Sequence, residues 1–177
     1  MPTPRDETGQ KAKSAKQAAK PEDAIRLLMT DHREVEALFK KFESVKDDDS
    51  VKADIVAQIC EALSVHAEIE EEIFYPAVRD ALNEKGEDME DMVDEAEVEH
   101  ESIKSLVEWL EDAEPDDEHY DAKVKVLTEY VKHHVKEEEN ELFPAVKKTD
   151  LDLDNLGAEM FERKTELMGD DEKDDSN

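Results

Sequence analysis

The stretch HAEIEEEIFYPAV, residues 66–78, returns 68 positions later as HVKEEENELFPAV, residues 134–146. The segments upstream repeat at the same offset, TDHREVEALF at 30–39 against VEHESIKSLV at 98–107. His32 is thereby paired with His100, His66 with His134, Glu70 with Glu138 and Pro76 with Pro144, and the four histidines fall 34 residues apart. A long repeat that contains two amphipathic patterns reads as a duplicated helix pair. Two such pairs related by a pseudo-two-fold direct their apolar stripes at one axis.

Working outward, four segments carry apolar residues at alternating steps of three and four. They are Ile25, Leu28, His32, Val35, Phe39 and Phe42; then Ile55, Ile59, Ala62, His66, Ile69 and Ile73; then Val93, Ala96, His100, Ile103, Val107 and Leu110; then Val124, Leu127, Val131, His134, Glu138 and Leu142. The turns KDDDS, NEKGED and EPDDEH separate them. Short polar connections favour antiparallel neighbours, so the expected fold is all-α, an up-down-up-down four-helix bundle over 21–149. Pro76 and Pro144 are expected to kink or restart the ends of the second and fourth helices. Residues 1–20 contain no Val, Ile, Leu, Phe, Trp or Tyr and read as a flexible arm. Residues 150–168 read as a short helix packed on the body, and 169–177 as a disordered acidic tail.

Composition narrows the function classes. The 177 residues hold 23 Lys and Arg against 52 Asp and Glu, a formal charge of -29. A broad phosphate-neutralising face is not expected on such a chain, so nucleic acid is expected not to be a partner. One cysteine, Cys60, permits neither an internal disulfide nor a thiolate zinc cluster, and it reads as a packing residue in a reducing, cytoplasmic setting. No apolar run reaches the roughly 18 residues of a membrane span, and no membrane partner is expected. The chain offers no nucleophile elbow and no phosphate-cradling glycine loop.

The chemistry lies on the stripes. Residues four apart on a helix differ by only about 40° in direction, so His66 with Glu70 and His134 with Glu138 each aim an imidazole and a carboxylate the same way. His32 and His100 add one nitrogen each from the other two helices. A lone histidine on an apolar face is usually a satisfied core residue; four in register, two with a glutamate on the same face, are not. Two buried carboxylates without compensation would each cost several kcal/mol, a cost that cations between them remove. The metal-ligand candidates are therefore His32, His66, Glu70, His100, His134 and Glu138. Glu71, Glu72, Glu137, Glu139 and Glu141 read as a solvated face, and His119 and His133 as surface residues. A histidine and carboxylate donor set without thiolate suits iron, manganese or zinc, and six donors in duplicate suit two ions with positions left open for a small ligand.

These motifs resemble the hemerythrin-like family, also called HHE cation-binding domains. The resemblance rests on D-H at 31–32, HAEIEEEIFYP at 66–76, EHESIKSLV at 99–107 and HHVKEEENELFP at 133–144, and covers about 22–148. It implies a non-haem centre of two iron ions, oxo- or hydroxo-bridged, with the four histidines as terminal ligands and Glu70 and Glu138 as bridges. Oxygen-carrying members have a second histidine four residues from the first on the third helix, where this chain has Ala96 and Lys104. Glu97 or Tyr130 could fill that vacancy, although Glu97 reads equally as a surface residue and Tyr130 as a packing one.

The expected function is binding of O2, NO or peroxide for sensing, storage or detoxification, in the manner of bacterial and archaeal stress proteins. Binding is favoured over turnover. The alternatives are an enzyme for peroxide dismutation or NO reduction, and an iron- or oxygen-responsive interaction module whose protein partner the residues do not name.

Overall fold

The computed structural model describes residues 22–45, 48–81 and 87–174. The expected N-terminal arm, 1–20, lies outside them. The described residues are helical without a strand: α1 (Ala24–Ser44), α2 (Asp49–Ile69), α3 (Tyr75–Ala81), α4 (Glu87–Glu111), α5 (Tyr120–Glu137), α6 (Phe143–Val146) and α7 (Leu153–Asp174). Asp23 and Asp48 start the first two helices by accepting the backbone N–H of Arg26 and Val51 at 3.0 and 3.1 Å, which satisfies donors that have no partner inside the helix. His119, with φ 72°, turns the chain into α5.

The four stripes face inward as the periodicity predicts. Helix α1 packs on α2, α4 on α5, and α2 on α4. The core is not continuous, however. One apolar cluster includes Leu28, Ile69, Phe74, Ala96 and Leu142, and a second includes Val35, Leu63, Ile103 and Val131. On each of the four stripes the histidine lies between a residue of one cluster and a residue of the other. A polar layer therefore crosses the bundle where an all-apolar core would be expected.

The prolines do not end the helices. A π-helical turn, Glu70–Phe74, joins α2 to α3, and another, Glu138–Leu142, joins α5 to α6. In each, the backbone N–H five residues on, Tyr75 or Phe143, reaches back to the carbonyl of Glu70 or Glu138. The wider turn absorbs the N–H that Pro76 and Pro144 lack, and the helix continues beyond it.

Helix α7 is longer than the pattern suggests. It runs to Asp174, whereas the sequence reading ended it at 168 and expected disorder from 169. Leu156 and Met160 anchor its first turns in the core. It packs on α1, α2 and the first π turn, so it covers the first half of the duplicated body. Gly157 makes that approach possible. A Cβ there would lie 2.2 Å from the carbonyl oxygen of Glu22 and 2.6 Å from the amide of Ala24. Gly157→Ala is expected to cost about 1–3 kcal/mol in denaturant unfolding by forcing these backbones apart. Gly169→Ala on the same helix meets nothing within 4 Å and should not destabilise; equal effects at the two sites would refute this account of the packing.

Candidate metal centre

Six side chains fill the polar layer: His32, His66, Glu70, His100, His134 and Glu138, none more than 7% exposed. Their inner atoms converge. His32 Nε2 is 3.2 Å from Glu138 Oε2, and His66 Nε2 and His100 Nε2 are each 3.3 Å from Glu70 Oε2. Two groups of donors result, both containing Glu70: His32, His66, Glu70 and Glu138 in one, and Glu70, His100 and His134 in the other. All six sequence-derived candidates are thus brought together.

The outer nitrogen of every one of these imidazoles meets a carboxylate. His32 Nδ1 is 3.0 Å from Glu139, His66 Nδ1 3.4 Å from Asp31, His100 Nδ1 2.9 Å from Glu71 and His134 Nδ1 2.9 Å from Glu99. A carboxylate accepts, so each Nδ1 carries a proton, and each imidazole in its neutral form turns the lone pair of Nε2 inward. The pattern obeys the repeat: Glu71 and Glu139 correspond, as do Asp31 and Glu99. Reading Glu71 and Glu139 as a solvated face was therefore incorrect. They lie about 100° round the helix from the buried glutamates, and there they reach the histidine of a neighbouring helix. Cations back several of these acids: Lys104 on Glu71, Arg33 on Glu139 and Lys164 on Asp31.

With that tautomer, the interior lacks donors. His32 Nε2, His66 Nε2, Glu70 Oε1 and Glu138 Oε2 are buried without a hydrogen-bond partner; the short His32 to Glu138 distance is not aligned as a hydrogen bond. His100 Nε2 and His134 Nε2 face each other at 3.2 Å, a contact that without a metal needs a proton on one of them. Buried polar atoms are almost always satisfied, and one kind of partner satisfies all of these at once, a cation. The donor set therefore fits a metal, and its chemistry fits imidazole- and carboxylate-binding ions such as iron, manganese or zinc.

Tyr75 completes the layer, and the apolar periodicity did not reveal it. Its O–H is fully buried and donates to Glu138 Oε1 at 2.9 Å, and it lies 3.4 Å from Glu70 Oε2. The repeat places Phe143 at the matching position, so the two halves differ here. Neither of the two residues weighed as replacements for the missing histidine joins the layer. Glu97 is drawn outward into a pair with Arg79, at 2.7 Å, and Tyr130 is an exposed side chain. The Cys60 thiol is buried and pushed up to about 12 by that burial, with Glu111 adding to it, as suits a packing residue.

The fold and this layer define a helical-bundle metal-binding protein. The profile of the hemerythrin HHE cation-binding domain matches residues 23–146, and the chain belongs to that family. A crystal structure of a hemerythrin HHE cation-binding domain-containing protein from Mycobacterium kansasii superimposes with a TM-score of 0.70 at 22% identity, covering 84% of this chain and 89% of that one. At that identity the likeness speaks for the fold. A curated relative from Nostoc sp., named a DNA nickase, is 31% identical over 150 residues, 85% of this chain. The chain spans 38% of that relative's length.

That relative overturns one expectation. Net charge led to the exclusion of nucleic acid, yet a protein with this domain is named for an action on DNA. A whole-chain charge averages over faces and says nothing of other domains in a longer relative. Locally the picture differs, since the groove between α1 and α5 carries Arg33, Lys40, Lys132 and Lys136 among its acids. Among the described residues no helix is long and apolar enough to cross a membrane.

Protons occupy the layer when metal does not. Burial raises Glu70 far above the usual carboxylate range, and the Glu138 charge adds to this. Burial acts to lower His32 and His134, but Glu138 outweighs it and both lie above the ordinary histidine value. His66, without such a net gain, is pushed down by burial to about 4. Groups with raised values hold their protons more tightly than they would in water, and a metal must displace them, so metal uptake by the metal-free chain is expected to release protons, and affinity to weaken as pH falls. Calorimetry in two buffers of different ionisation enthalpy measures the release; a value of zero contradicts the protonated layer.

Proposed function

We propose that this chain is a non-haem di-iron protein that binds O2 or a related small oxidant, NO or peroxide, in sensing, storage or detoxification. His32, His66, Glu70, His100, His134 and Glu138 are the metal ligands in this reading, and Glu70, common to both donor groups, joins the two positions. The observation that carries it is a cavity of about 20 Å³ bordered by the four imidazoles. Its remaining walls are largely apolar, including Val35, Leu63, Ile103 and Val131. That volume suits one molecule about the size of water, and apolar walls discourage water itself. A larger organic substrate does not fit.

When bound, a pair of irons supplies open coordination positions and one-electron redox chemistry for such a ligand. The chain's own residues do the rest. The four outer carboxylates fix the imidazole planes, the valine, leucine and isoleucine side chains exclude water, and Tyr75 keeps a proton on its hydroxyl. Burial and the two glutamate charges hold that phenol well above its ordinary range. The aerobically purified protein is expected to contain iron and to absorb in the near-ultraviolet and visible through ligand-to-ferric charge transfer, with both signals lost in His66→Ala/His134→Ala. Wild-type protein with no more iron than the double variant refutes the ligand set, and iron without a change in spectrum on exposure to O2, NO or peroxide refutes the small-oxidant role.

Turnover is the second reading, and Tyr75 favours it, since NO reduction takes up protons at the site and peroxide dismutation passes protons from its oxidative to its reductive half-reaction. If the phenol delivers them, Tyr75→Phe should lower turnover of iron-loaded protein roughly a hundredfold or more at unchanged iron content. Activity in the wild type no greater than in the metal-free chain removes the enzymatic reading.

A further inference from the structure

The two halves of the repeat end differently at the surface. Between α4 and α5 a cleft of about 60 Å³ runs inward to His134 and Glu138, and Glu95, Glu99, Glu137 and Glu141 line it. Among the described residues no lysine or arginine lines it. At its inner end is Glu138, 2% exposed, whose Oε2 has no hydrogen-bond partner. His133 lies at the same edge, its Nε2 3.3 Å from Glu99 Oε1 and 3.0 Å from Glu137 Oε1. These three residues bring one donor atom each within 4.8 Å of one another.

The first half is an internal control. Subtracting the repeat offset turns Glu95, Glu137 and Glu141 into Leu27, Ile69 and Ile73, and His133 into Val65. Those apolar residues are buried or partly buried in the core, and α7 closes over that side of the bundle. The one acid kept in both halves, Asp31 or Glu99, is the one that holds a buried imidazole. The remaining acids are therefore not required by the fold or by the histidine tautomers, since the sealed half manages both without them.

We propose that the α4–α5 cleft is the route by which a divalent cation enters the buried layer, with His133, Glu99 and Glu137 as a first stop at its mouth. Uncompensated carboxylates concentrate cations at a low-dielectric opening and speed their arrival. Glu99 connects the two stages: one of its oxygens faces His133 and the other accepts from His134 Nδ1 at 2.9 Å. The apolar cavity over the imidazoles shares only His134 with the lining of this cleft, so the cation and a small uncharged ligand approach the layer along different walls. The proposal rests on the six buried residues holding the metal, and the final metal content tests that reading separately from the route.

The test is anaerobic addition of ferrous iron to metal-free full-length chain, with aliquots quenched by a chelator and the protected iron counted. His133→Ala/Glu137→Gln should slow uptake roughly tenfold or more while reaching the wild-type iron content. Glu95→Leu/Glu137→Ile/Glu141→Ile, which copies the sealed half, should slow it at least as much. Glu61→Gln/Glu114→Gln removes two charges at a groove between α2 and the end of α4 and should load at the native rate. Native-rate loading of the His133/Glu137 variant overturns the route, as does equal slowing of the control, which would make the effect one of overall charge. A lower final content at an unchanged rate also overturns it, by making these residues structural supports of the inner site. A wild-type chain that protects no iron at saturation overturns the buried-site reading and the route together.

Discussion

Two carboxylates and four imidazole lone pairs share one buried layer, and almost everything else in the bundle is arranged around that fact. An unpaired ion in such a place costs several kcal/mol, and the glutamates lie too deep for water to relieve them. Metal-free, the layer accommodates itself by sharing protons, burial and the Glu138 charge pushing Glu70 up while His134 and His32 draw Glu138 down against the effect of burial. With a cation it needs no protons. The same arrangement thus accounts for metal binding, for the interruption between two apolar clusters and for the direction of the pH dependence.

The ring of outer carboxylates shows how duplication supports the layer. Each histidine is oriented from a helix other than its own, Glu139 reaching His32 and Glu71 reaching His100, with Asp31 and Glu99 serving His66 and His134. Two-fold repetition makes one solution serve twice. The halves then diverge where symmetry is not needed: Tyr75 against Phe143, and the apolar face beneath α7 against the acidic edge of α4 and α5. A polar core layer held this way also specifies helix register, because a one-turn slip would break four charge-assisted hydrogen bonds together.

Much of this was legible in the residues. Period-3.6 stripes state which face is buried, and the repeat offset states which residues share a level, so the six inner side chains followed from spacing alone. What spacing hides is geometry between helices. Glu71 and Glu139 lie beside the stripe, and only the distance to the next helix decides whether they meet water or an imidazole. Tyr75 was hidden for a different reason. Five residues after Glu70 it would point roughly 140° away on an α-helix, whereas a π turn stacks i on i+5 and returns it to the same face. Glu97 and Tyr130 failed for the converse reason: each lies near the right face, but Arg79 draws the first outward and solvent takes the second. Charge misled most at the level of partners, since a sum over the chain carries no map of where charges lie.

Helix α7 also bears on the order in which this chain folds. Lys164 holds Asp31, the acid that orients His66, across 133 residues of sequence, at 2.5 Å. Contacts of such separation form late, after the local helix pairs have closed their loops. His66 therefore receives its full support only once the last helix has docked.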